Sequence, residues 1–162
     1  MTSAPTIGHG HDGCAPRPLI DAFLVATMIA FATTSLLFDR AAAMDLVAAD
    51  SVDPFGRLLW QFGTAYDPLV ALNPLFLRVM SGISAFVFGP FYVWAALALW
   101  RGDPRLRTPA ILYAAAMLYS MALHFAVELM GDLPPTNVAV FVLVYTPYCA
   151  LPIALLTRVR RA

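Results

Sequence analysis

Four runs of apolar residues, near 19–38, 75–100, 109–130 and 138–157, organise the chain. Each has the length of about 20 residues that a helix needs to cross the hydrocarbon core of a bilayer. None shows the strict apolar–polar alternation of a barrel strand, so helices must satisfy their backbone groups in lipid. The pattern predicts an all-α fold, a four-transmembrane-helix bundle over 18–158. A disordered tail is expected over 1–17 and a basic tail over 159–162. The first run has no dense positive cluster before it and no small-residue cleavage pattern after Phe38-Asp39-Arg40, so it reads as a retained span rather than a signal peptide. The long connection 40–74 contains Leu58, Leu59, Trp60 and Phe62, an amphipathic stretch expected to rest in the bilayer interface. The later connections are short, so spans two to four are expected to be antiparallel neighbours.

Composition supports this picture. Hydrophobic residues make up 60% of the chain and charged residues 12%, against about 25% charged in soluble domains. The apolar surface has to face lipid. Ten arginines, with no lysine, balance ten acids, which gives no reason to expect nucleic acid as a partner. Arg17, Arg101, Arg105, Arg107, Arg158, Arg160 and Arg161 fall on one side of a four-span topology; Arg40, Arg57 and Arg78 fall on the other. That asymmetry predicts both termini in the cytoplasm. The Ala-, Arg- and Leu-rich composition suggests a GC-rich bacterial genome and hence an inner membrane. His9, His11 and Cys14 sit in the Gly-broken tail and read as disordered rather than metal-binding. Cys149 reads as a small apolar residue, and no cofactor motif or metal-ligand spacing occurs in the spans.

The polar and helix-breaking residues inside the spans carry the candidate chemistry. Pro90, Pro147 and Pro152 free backbone carbonyls and are expected to bend their helices and open a cavity. Asp39 ends span one, Asp67 precedes span two, and His124 and Glu128 share a face of span three at i, i+4. Three carboxylates from three segments are therefore expected to line one outward-facing mouth, with a histidine beneath them. Asp67 before Pro68 is equally a helix-start signal. Tyr145 and Tyr148 flank Pro147 and point to a ligand or to interhelical hydrogen bonds. Ser81 and Ser84, near Gly82 and Gly89, point to close helix packing or to a pocket. Phe88, Trp94 and Tyr119 are candidates for ligand-facing aromatic surface.

The order Phe38-Asp39, Tyr66-Asp67-Pro68-Leu69, Gly89-Pro90, Arg107-Thr108-Pro109-Ala110-Ile111, Val144-Tyr145-Thr146-Pro147-Tyr148 and Leu151-Pro152 resembles the EXPERA membrane domain. That superfamily includes the sigma-2 receptor and the emopamil-binding protein, a sterol isomerase. The resemblance covers roughly 26–158. It implies a four-helix fold with cytoplasmic termini, a cavity open to lipid for sterol-like or cationic amphiphilic molecules, and homodimers. It implies further that Asp39 meets a ligand amine, that Asp67 supports it, and that Tyr145 and Tyr148 line the pocket. The isomerase's proton-shuttling positions fall here on Phe31, Ser35 and Ser81, and an acid of the sigma-2 receptor's second helix falls on Ser84. None of the first three transfers a proton near neutral pH. The expected function is thus binding of a hydrophobic small molecule or lipid. The alternative is a double-bond isomerase using Glu128, His124, Asp39 and Tyr145. A purely structural membrane partner is the third reading.

Overall fold

The structure is a computed structural model describing residues 18–160, and among them every regular element is helical. The tail with His9, His11 and Cys14, and residues 161–162, lie outside the described residues. Four helices are long and apolar enough to cross a membrane: Leu19–Ala43, Leu75–Arg101, Pro104–Met130 and Val138–Arg160. The protein is a multi-pass membrane protein. The first span runs past its apolar stretch because both charges at the break find partners. Ser84 Oγ donates to Asp39 Oδ2 at 2.6 Å, and Arg40 pairs with Asp53 at 2.5 Å. Asp39 therefore lies within the span, one turn before its end, and not at its terminus.

Span one packs along the Gly89–Arg101 half of span two. Leu24, Met28 and Phe31 meet Tyr92, Ala95 and Ala96, where small side chains allow close approach. Span four packs along span three. Spans two and three meet through side chains rather than by close backbone approach. Aromatic rings fill the space instead. The Tyr113 ring stacks on Phe91 at 4.8 Å and meets Phe88 and Tyr92 edge-on at 5.3 and 5.4 Å. The hydroxyls of Tyr92 and Tyr113 are 3.1 Å apart, so each is satisfied while buried. At the far end of the bundle Arg158 grips Asp21 through Nε at 2.5 Å and Nη2 at 2.8 Å, joining the start of span one to the end of span four.

Two π turns interrupt the first two spans, Ser35–Asp39 and Ser84–Phe88, and they face each other. The amide of Arg40 donates to Ser35 O and that of Gly89 to Ser84 O. Each extra residue rotates the helix beyond it by about 100°. Pro90 sits in the first turn of the segment that follows, where no amide hydrogen is needed. The irregularity expected at Pro90 is therefore one turn earlier. The fourth helix runs continuously through Pro147 and Pro152.

The connection between spans one and two is folded. It contains the helices Pro54–Tyr66 and Pro68–Leu72. Each begins Asp-Pro: Asp53 Oδ1 accepts from the amides of Phe55 and Gly56 at 2.9 and 3.1 Å, and Asp67 Oδ1 accepts from Val70 at 3.3 Å. Gly63 is needed where these helices meet, since a Cβ there would lie 2.4 Å from the Ala71 amide nitrogen. Thr136, between spans three and four, bonds back to Tyr66 O and Ala65 O at 3.0 and 2.9 Å. The hydrogen bond from Arg40, reinforced by the helix-capping amides, holds the Asp53 carboxyl below the usual carboxylate range. A depressed folded value means its stabilisation is present above the unfolded value and is lost as pH falls through the folded one. We expect Asp53→Asn to lower the neutral-pH melting temperature and to flatten the acid limb of a melting curve followed against pH.

Candidate ligand site

A cavity of about 110 Å3 lies at the end of the bundle beneath this folded connection. Since a water needs about 10–15 Å3 measured this way, it has room for several. Leu59, Val70 and Asn73 roof it, and all four spans contribute to its walls. Asn73 adopts a left-handed conformation, φ 46°, and its side-chain amide donates to Ala42 O at 2.9 Å, which pins the roof to the end of span one.

One wall is built by the paired π turns. They bring Ser35, Ser84 and Asp39 into a chain in which Ser35 Oγ lies 3.1 Å from Ser84 Oγ, which in turn donates to Asp39. Asp39 is half-buried and lines the cavity. Among the described residues no cation pairs with it within 4.0 Å. Ser81 and Phe88 continue this wall along span two.

The opposite wall belongs to spans three and four. Met117, Ser120, Met121 and His124 face the cavity from span three, with Tyr145 and Tyr148 beside them. His124 is 2% exposed, and neither ring nitrogen has a hydrogen-bond partner. Its Nε2 lies 3.8 Å from Glu128 Oε1, too long for a hydrogen bond. Glu128 is 0% exposed and neither of its oxygens receives a donor. Asp67, 1% exposed, accepts from the Tyr145 hydroxyl at 3.3 Å and lies next to Glu128. Burial pushes the Asp67 carboxyl up, and the Val70 amide and Tyr145 hydroxyl only partly offset this. Two adjacent buried carboxyls with no arginine beside them are most stable sharing one proton, because like charges in a dry site repel. Among the described residues no cluster has the makings of a metal site.

The structure thus brings Asp39, Ser81, Ser84, Phe88, His124, Tyr145 and Tyr148 to one cavity. It corrects the expectation of three carboxylates around one mouth: only Asp39 is on the wall, while Asp67 and Glu128 stand behind Tyr145 and His124. Trp94 and Tyr119 are not on it. Tyr119 is 73% exposed, being two residues and so about 200° around the helix from Met117. Trp94, 39% exposed, stands in the same relation to buried Tyr92. Ser35, Met117, Ser120 and Met121 join the site without having been singled out as ligand residues. For span three the signal was there, because 117, 121, 124 and 128 recur at helical spacing on one face.

The family profile of EXPERA (EXPanded EBP superfamily) matches residues 54–159, well over half of the chain. The chain belongs to the EXPERA superfamily. No curated protein and no solved structure matches it. The EXPERA match covers the folded connection and spans two to four, with Asp67, Glu128 and Tyr145. It starts after Asp39 and Ser35, which belong to the site by geometry.

Proposed function

We propose that this EXPERA protein binds a sterol-like, isoprenoid or cationic amphiphilic small molecule inside the membrane, with the ligand's polar end at Asp39. The observation that carries this reading is a carboxylate inside a span that opens on a cavity and, among the described residues, is partnered by a serine hydroxyl. An ionised side chain in the bilayer costs at least about 2.5–3.5 kcal/mol and is retained where it has a partner. A ligand ammonium or hydroxyl supplies one. Phe88, Met117, Met121 and the Tyr145 and Tyr148 rings give the apolar contact that a lipid needs. The lysine-free, arginine-biased loops support a bacterial inner membrane with both termini in the cytoplasm. The test is mass spectrometry of small molecules retained on gently purified protein. Wild type is expected to carry a lipid that leaves chemically unchanged, and Asp39→Asn to lose it. Equal retention by both proteins would remove Asp39 from the account.

A second reading is supported by the buried imidazole of His124, whose nitrogens have no hydrogen-bond partner among the described residues, with the Glu128 carboxyl 3.8 Å away. In a double-bond isomerase, an acid delivers a proton to an alkene carbon, whose π pair forms the new C–H bond. The other alkene carbon becomes the cation; a base then takes a proton from the next carbon beyond it, and that C–H pair becomes the shifted double bond. The Tyr145 and Tyr148 faces would stabilise the cation between these steps. Turnover in heavy water should place one deuterium in the product, and Glu128→Gln should abolish it. Product without deuterium excludes this chemistry.

A further inference from the structure

We propose that His124, backed by Glu128 and Asp67, is a hydroxyl-binding subsite, and that the cavity takes the head of a long-chain amino alcohol. The inference rests on the ligand-binding reading above and narrows its ligand class. A neutral imidazole carries one N–H donor and one lone-pair acceptor. Both nitrogens of His124 are unpartnered at 2% exposure on a cavity wall. Leaving buried polar atoms unsatisfied is unfavourable, so such atoms usually have a partner from outside the chain when the protein offers none. A hydroxyl both donates and accepts and matches either face of the ring, whereas an ammonium only donates. The ammonium has its own place on the opposite wall, at Asp39.

The ground between the two poles fits a short, mixed polar head. The Tyr145 ring is 4.4 Å from the His124 ring and 6.2 Å from that of Tyr148. Tyr148 and Asp39 line the same cavity. Asp39 and His124 thus share one cavity with this tyrosine pair. The cavity, about 110 Å3, has room for a small polar head and its first carbons. The ligand's chain must leave between the helices, where lipid-facing side chains are apolar.

The probes are 1-amino-2-hexadecanol and hexadecylamine, which differ in one hydroxyl, and binding is measured to wild type and His124→Phe in lipid nanodiscs. On wild type the amino alcohol is expected to bind about tenfold tighter, the value of one well-made hydrogen bond in a dry site. On His124→Phe the two should bind alike, while Asp39→Asn should weaken both and keep their ratio. The amine and the amino alcohol binding wild type equally overturns the hydroxyl subsite and leaves the ligand-binding reading standing. Binding of neither overturns both. If His124→Phe fails to assemble, 15N spectra of wild-type histidine decide the point. The His124 ring signal should move with the amino alcohol and stay with the amine; identical spectra contradict the subsite.

Discussion

Asp39→Ala is expected to weaken binding of hexadecylamine by about 100-fold, with helix content and melting behaviour close to wild type. The large effect on binding follows from desolvation. An ammonium that leaves water for this cavity meets a single carboxylate, and truncating one member of such a buried pair removes about 2–5 kcal/mol. A 100-fold loss corresponds to about 2.7 kcal/mol. The small effect on folding follows from what Asp39 holds. Asp39 accepts a hydrogen bond from Ser84, and Ser84 keeps Ser35 as a partner, 3.1 Å away, when the carboxylate is gone. Ser84→Ala makes the complementary control. It leaves the carboxylate in place, so affinity should fall only a few-fold. Titration calorimetry in nanodiscs reads both numbers, and an unchanged affinity in Asp39→Ala contradicts the assignment.

Arg158→Met should be the most destabilising single substitution outside the cavity, at about 3–5 kcal/mol. Arg158 is 7% exposed and its Asp21 partner 15%, so neither is well solvated. Removing the guanidinium takes two hydrogen bonds from a carboxylate in a poorly hydrated site. Asp21→Asn in the same chain removes the poorly hydrated charge, so the double variant should recover part of the loss. Midpoints of SDS-induced unfolding for the two single variants and the double variant measure this coupling. Additive losses would mean that the pair is solvated in the membrane-embedded protein. Because the pair lies at the opposite end of the bundle from the cavity, none of these variants should change the ratio of amine to amino-alcohol binding.

Hydropathy was enough to place the spans because the bilayer leaves few alternatives for an apolar run of this length. It placed the end of span one too early, at Asp39, because a charge looks like a boundary until its partner is known. That partner, Ser84, lies 45 residues away on another span. The π turns had no signal in the residues themselves, and they are what rotate Asp39 and Ser84 towards each other. Asp67 shows how one residue serves two ends. It caps the helix Pro68–Leu72, as Asp-Pro foretells, and its second oxygen still meets Tyr145. The i, i+4 pair His124 and Glu128 was legible, but the unpartnered state of the imidazole was not, since that depends on what the other described segments fail to provide. Trp94 and Tyr119 drew attention through residue type alone; helical phase relative to Tyr92 and Met117 turns both away from the cavity. Arg158 and Asp21, counted only as charges, form the clamp at the other end.

The most direct measurement is a crystal structure of the protein with a bromine-terminated long-chain amine. The expected result is ammonium density within hydrogen-bond distance of the Asp39 carboxylate, and a bromine peak where the chain leaves between the helices. Ordered amine found solely on the lipid-facing surface, with the hollow beside Asp39 holding nothing but water, would contradict a binding site at the paired π turns.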